Sequence, residues 1–120
     1  MSASKRTNPD FLNGVPELLL LRLLSRKPMY GYELVQSIKL RSEAVLQFGE
    51  GCIYPVLHRL ERARLLSSRR EDVCGRSRVV YRLTPAGVRK LEEHVSAWQR
   101  VVQAVNRILE GDAHVEPSHA

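Results

Sequence analysis

The stretch Gly51-Cys52-Ile53-Tyr54-Pro55-Val56-Leu57-His58-Arg59-Leu60-Glu61-Arg62-Ala63-Arg64 carries two faces of opposite character. Ile53, Val56, Leu57 and Leu60 stand at i, i+3, i+4 and i+7, so a helix over 52–64 gathers them on one side. Pro55 fits that helix only in its first turn, where a missing N–H has no intrahelical partner to lose. The opposite face carries Tyr54, His58, Arg59 and Arg62, one aromatic among bases. Such an element packs on a core with one side and offers the other to an anion.

Outward from this helix the pattern changes period. Upstream, Asn13-Gly14 with Pro16 and Glu17 signals a helix start. Val15, Leu18, Leu19, Leu20, Leu21, Leu23 and Leu24 make the first helix apolar nearly all round, so it is expected to be buried. Lys27-Pro28 stops it. A second helix is expected from Tyr30 to Leu40 on Leu34, Val35 and Ile38. Residues 41–50 read as a loop with Val45, Leu46 and Phe48 turned inward. Downstream, Leu65–Val73 and Arg78–Leu83 read as strands joined through Cys74-Gly75-Arg76-Ser77. Thr84 and Pro85 then open a last helix to Glu110. Its Val88, Leu91, Val95, Trp98, Val102, Val105 and Leu109 recur at 3, 4, 3, 4, 3, 4, a heptad seam for packing along another helix. Gly111-Asp112 is expected to end it, before a disordered tail to Ala120.

The fold expected is mainly α with a small β-hairpin. Three helices and a hairpin in this order describe a winged helix-turn-helix, followed by a long C-terminal dimerisation helix. The boundaries are a flexible lead-in at 1–10, a winged-helix unit at 11–84, the dimerisation helix at 85–110 and the tail at 111–120.

Charge is uneven along the 120 residues. Residues 51–90 hold ten basic and three acidic side chains, a balance of +7 where the whole chain carries +6. Arginine concentrated on one helix face and one hairpin suits a polyphosphate, because each neutralised phosphate releases counterions. A solvated charged face does not account for that coincidence. The longest apolar run, 15–24, is broken by Glu17 and Arg22 and falls short of the roughly 20 residues of a membrane span. The polar first ten residues carry no signal-peptide core. Cys52 and Cys74 make neither a disulfide framework nor a metal motif. A cytoplasmic protein is expected, with no metal, cofactor or membrane partner. No nucleophile–base pair, paired carboxylates or glycine-rich phosphate loop is found, so an enzyme is not expected.

Four segments resemble one family. Pro28-Met29-Tyr30-Gly31-Tyr32-Glu33-Leu34, Gly51 to Glu61, Gly75-Arg76-Ser77-Arg78 and Tyr81-Arg82-Leu83-Thr84-Pro85-Ala86-Gly87 are similar, in this order, to the PadR family of bacterial transcriptional regulators. The resemblance covers about Phe11 to Leu91, and the short chain looks like the branch with one C-terminal helix. It implies a homodimeric winged-helix repressor on double-stranded DNA. It further implies that Tyr54 and its neighbours on the third helix contact DNA, and that Arg76 and Arg78 serve the wing. The chain departs from the family at Cys52, where threonine or serine is usual, and at Arg64, where glycine commonly ends the helix. Val79 and Val80 stand where lysine and an aromatic are usual.

The DNA-binding set is therefore Cys52, Tyr54, His58, Arg59, Arg62, Arg76 and Arg78, with Tyr32 at the start of the second helix. Five of them have a plainer alternative: packing for Tyr54 and Tyr32, pairing with Glu61 or solvent for Arg59 and Arg62, inert packing for Cys52. Arg69 and Arg70 have Glu71 and Asp72 beside them. The dimer set is Leu91, Val95, Trp98, Val102, Val105 and Leu109. Trp98 is either interface filler or, as the family's planar effectors imply, a contact for a small aromatic ligand. The competing function is a winged-helix interaction module binding an acidic protein.

Overall fold

A computed structural model describes residues 14–119, with side-chain surroundings for 14–111. The lead-in 1–10, Phe11, the Asn13 helix signal and Ala120 lie outside the described residues. Helix α1 spans 14–24, followed by β1 (Met29–Tyr30), α2 (Gly31–Arg41), α3 (Glu50–Arg62), β2 (Leu66–Val73), β3 (Arg76–Leu83) and α4 (Pro85–His119). The strands form one antiparallel sheet in the order β1-β3-β2. Met29 opposes Tyr81 and Tyr30 opposes Val80, while β2 and β3 pair from Leu66↔Leu83 to Val73↔Arg76. The two-residue β1 is too short to show alternation, and pairing with β3 is what makes it a strand.

The core follows the apolar faces. Leu20, Leu21, Leu23 and Leu24 of α1 meet Leu34 and Ile38 of α2 and Ile53, Val56, Leu57 and Leu60 of α3. Met29, Leu66 and Tyr81 close it from the sheet and Leu91 from α4. Each such leucine contributes about 1.5–3 kcal/mol through burial. Helix α4 leaves this body: at 35 residues it is about 52 Å long, and the chain measures 67 × 30 × 26 Å. The radius of gyration, 17.9 Å, exceeds the roughly 14 Å of a compact chain this long.

Several expectations are corrected. Helix α3 begins at Glu50, because the Gly49 carbonyl accepts from the Cys52 and Ile53 N–H groups, both at 3.0 Å. Pro55 therefore sits in the second turn, where its ring takes the place of a hydrogen bond to the Gly51 carbonyl. Gly51 is exposed, so water can satisfy that oxygen. The wing turns on Cys74 and Gly75 alone, with φ of 51° and 81°. Two consecutive positive φ values make the tight loop that matches strand twist, so Arg76 and Ser77 belong to β3. Val45 is 81% exposed rather than inward; Glu43 and Ala44, at φ 53° and 67°, turn the chain so that Leu46 and Phe48 pack instead. Helix α4 passes Gly111 and continues to His119, where a stop and a disordered tail were expected. Glycine ends a helix by adopting positive φ. Gly75 is the only described glycine to do so, and glycine inside a helix costs only about 1 kcal/mol.

Helix α3 ends in a Schellman motif. The Leu65 N–H reaches the Leu60 carbonyl at 3.0 Å and the Arg64 N–H reaches Glu61 at 2.9 Å. That motif places Arg64 at φ 65°, a conformation that burdens a side chain with a Cβ by about 1–2 kcal/mol. Arg64→Gly is expected to raise stability by about 1 kcal/mol, read as a higher urea midpoint with unchanged slope; a lower midpoint would show that the Arg64 side chain contributes more than its backbone loses.

Candidate nucleic-acid interface

Helix α3 buries Ile53, Val56, Leu57 and Leu60 and exposes Cys52, Pro55, His58, Arg59 and Arg62. The two faces read from the sequence are thus the two faces of the folded helix. Tyr54 lies between them, half-buried. Its ring covers Gly31 so closely that a Cβ there would strike the ring and its hydroxyl. The other side of Tyr54 looks toward His58, with ring centroids 6.3 Å apart. Gly31 is therefore glycine because the aromatic of α3 rests on the first turn of α2. Tyr32 stands exposed on that same turn.

Neither arginine of α3 pairs with Glu61. The Glu61 carboxylate accepts from the Ser68 hydroxyl at 2.7 Å and so ties α3 to the wing. With burial, the same carboxylate and Tyr54 hold the Tyr81 phenol above its ordinary value, burial being the larger cause. Arg59 donates instead to Glu17 of α1 at 2.9 Å. Among the described residues Arg62 makes no ion pair. Cys52 and Cys74 are both exposed free thiols.

Strand alternation puts Arg69, Glu71, Arg76, Arg78 and Arg82 on one face of the β2–β3 wing. Glu71 accepts from Arg69 at 2.9 Å and pairs with Arg82 at 2.5 Å. These guanidiniums, Arg82 first, hold its carboxyl below the usual carboxylate range. Arg78 lies 4.5 Å above the Tyr30 ring, a cation–π contact that anchors it against β1. Arg70 reaches only the Ser77 hydroxyl, at 3.4 Å. Arg76, beside the turn, is exposed. The two wing arginines named from the sequence thus differ: Arg76 faces outward and Arg78 is half enclosed.

On α4 the heptad seam divides. Leu91 is buried in the chain's own core and Val95 packs against it. Trp98, Val105 and Leu109 are exposed, together with Val101 and Ile108, while Val102 is half-buried. The sequence pattern omitted Val101 and Ile108 because a strict 3,4 spacing selects a narrower stripe than the one exposed. A small cavity of about 120 Å³ lies between α1 and α4, lined by Gly14, Val15, Leu18, His94, Ala97, Trp98 and Val101.

By sequence alone Glu17 marks only a helix start. It is 14% exposed and accepts from Arg59 through Oε1 and from His94 Nε2 through Oε2, both at 2.9 Å. A single carboxylate on a helix apolar but for Arg22 is the sequence signal, since a charge carried into a core needs partners. Among the described residues no group of three or more His, Cys, Asp or Glu could hold a metal. No helix among them is long and apolar enough to cross a membrane.

Gly31→Ala places a methyl group in the space of the Tyr54 ring and is expected to lower stability by about 1–3 kcal/mol. In a Gly31→Ala, Tyr54→Ala double variant, the combined loss measured by urea unfolding should fall short of the sum; strict additivity would mean that the two residues do not share the contact.

Residues 20–93 match the Transcriptional regulator PadR-like family. A transcriptional regulator of Mycobacterium tuberculosis is 34% identical over 105 residues, 88% of this chain and 92% of that protein. A PadR-like transcriptional regulator of Bacillus cereus has a solved structure that superposes with a TM-score of 0.73 at 32% identity, covering 83% of this chain and 96% of that one. A PadR family transcription regulator of Clostridium difficile superposes with a TM-score of 0.69 at 28% identity, covering 78% and 97%. With the family pattern met across the helices and the wing, and the likeness running through most of α4, this chain belongs to the PadR-like family of transcriptional regulators.

Proposed function

We propose that this regulator is a homodimeric repressor that grips a pseudo-palindromic operator, with α3 in the major groove and the wing on the flanking backbone. The observation that carries this reading is the uncovered basic face of α3, which presents His58, Arg59 and Arg62 opposite a fully buried apolar face. An arginine at a base edge donates bidentately to guanine and discriminates by about 1–3 kcal/mol. Arg62 is placed for such a role. In this reading the exposed Cys52, near the start of α3, and Tyr32, at the start of α2, meet backbone phosphates, and Tyr54 holds these two helices together. Arg76 is the outward cation of the wing, while Arg78 braces the wing through Tyr30.

Dimerisation is assigned to the far half of α4. Trp98, Val101, Val105, Ile108 and Leu109 form an exposed apolar stripe along a helix that projects from the body, and a second copy supplies its complement. The two-fold so formed sets the half-site spacing near one turn of DNA, about 34–36 Å. Relief of repression by a small aromatic ligand belongs to the same proposal. The cavity beside Trp98 is apolar, and cavities of about 150 Å³ bind benzene-sized molecules. A ligand there acts only through a difference in affinity between two inter-wing spacings.

Arg76→Ala is expected to weaken binding to specific and random duplex alike and to reduce the salt slope by about one. An unaltered slope takes the wing off the DNA. Binding that is insensitive to duplex length would favour the acidic-protein partner. Val105→Asp lies outside the core and should yield folded monomers in analytical ultracentrifugation; a persistent dimer moves the interface elsewhere. Val95→Asp is the poorer test, because Val95 packs on the chain's own core.

A further inference from the structure

Glu17, Arg59 and His94 belong to α1, α3 and α4, and one carboxylate joins them. Oε1 accepts from Arg59 Nη2 and Oε2 from His94 Nε2, each at 2.9 Å. The three side chains differ in exposure: Glu17 is 14% exposed, His94 22% and Arg59 50%. Arg59 is thus the most exposed member of the set, held at its tip by an anion inside its own chain. A carboxylate and a phosphate oxygen offer an arginine the same charge-assisted contact. We propose that Glu17 competes internally with DNA phosphate for Arg59, and that His94 sets how firmly it does so. The inference deepens the assignment of α3 as the DNA-facing helix, and rests on it.

The carboxylate has two oxygens and two donors. What His94 draws toward α4 is withdrawn from Arg59, and a Glu17 freed of His94 can turn both oxygens to the guanidinium. His94 also lines the α1–α4 cavity, where its ring lies 3.4 Å from the position a Cβ would take on Gly14. A displacement of α4 against α1 therefore reaches Arg59 through two hydrogen bonds. Glu17 acts here as a positioning residue, since it acts on DNA only through Arg59.

The test is fluorescence anisotropy of a labelled random-sequence duplex across a salt series, with thermal melts confirming that each variant is folded. Each phosphate contact contributes about 0.9 to the slope of log K against log salt. Glu17→Gln is expected to release Arg59, tighten binding and steepen the slope by about 0.9. His94→Leu is expected to act in the opposite direction, weakening binding. Neither substitution should matter in an Arg59→Ala background. A slope that does not steepen in Glu17→Gln, or changes that persist undiminished in Arg59→Ala, would overturn the competition and leave Glu17 a structural brace. A silent His94→Leu would remove α4 from it. A partial loss of folded protein lowers apparent affinity without adding a phosphate contact, so the slope separates release from misfolding. Duplex binding by none of the variants, wild type included, would overturn the DNA-facing assignment of α3 itself and this inference with it.

Discussion

The carbonyl of Leu65 is the point from which the rest of the molecule is laid out. It accepts the Thr84 N–H at 3.1 Å, and the Thr84 hydroxyl donates to it at 3.0 Å or to Arg64 at 2.8 Å. The same hydroxyl oxygen accepts from the Gly87 N–H at 3.0 Å, which caps α4. One residue thus closes the end of α3, the start of β2, the end of β3 and the start of α4. Gly87 has no room for a side chain, because a Cβ would meet the Leu65 carbonyl and the Leu83 side chain. The angle at which α4 leaves the body, and with it the placement of any dimer axis, is set at this corner.

The positive charge of the chain is apportioned rather than simply displayed. Arg59 answers to Glu17, Arg69 and Arg82 to Glu71, and Arg78 to the Tyr30 ring. Arg62 and Arg76 point outward without such partners among the described residues. Exposed ion pairs contribute little to stability, typically below about 1 kcal/mol, so these pairings matter more for where the cations point. A surface on which four arginines are held by partners and others are left outward offers a duplex a patterned charge, whereas the attraction of a uniformly positive surface carries no register.

Helix α4 joins two environments. Leu91 and Val95 complete the core of their own chain, whereas the residues from Trp98 onward present apolar surface along a rod reaching past it. Contiguous exposed apolar surface of this kind marks an interaction site. At His94, beside Val95, the helix touches Glu17, which in turn holds Arg59 of α3. The core contacts of α4, its link through Glu17 to Arg59 of α3 and the start of its exposed apolar stripe thus lie within about two turns of one helix.

Much was legible in the residues alone. Apolar spacing at i, i+3, i+4 and i+7 identified the buried face of α3, Thr84-Pro85 identified the start of α4, and the four family-like segments identified the architecture, because these are local properties of helix period and capping. What could not be read locally was decided by contacts between distant residues. Strand β1 exists through its pairing with β3. The start of α3 moved to Glu50 because Gly49 accepts two N–H groups, and Val45 turned outward because Glu43 and Ala44 take left-handed conformations. Arg59 lies 42 residues from Glu17, and His94 lies 77 from it. No periodicity connects such positions. A hydrophobic pattern tells each helix which side to bury, but the partner of a charge is whichever opposite group the fold brings within about 3 Å, and only the tertiary structure decides that.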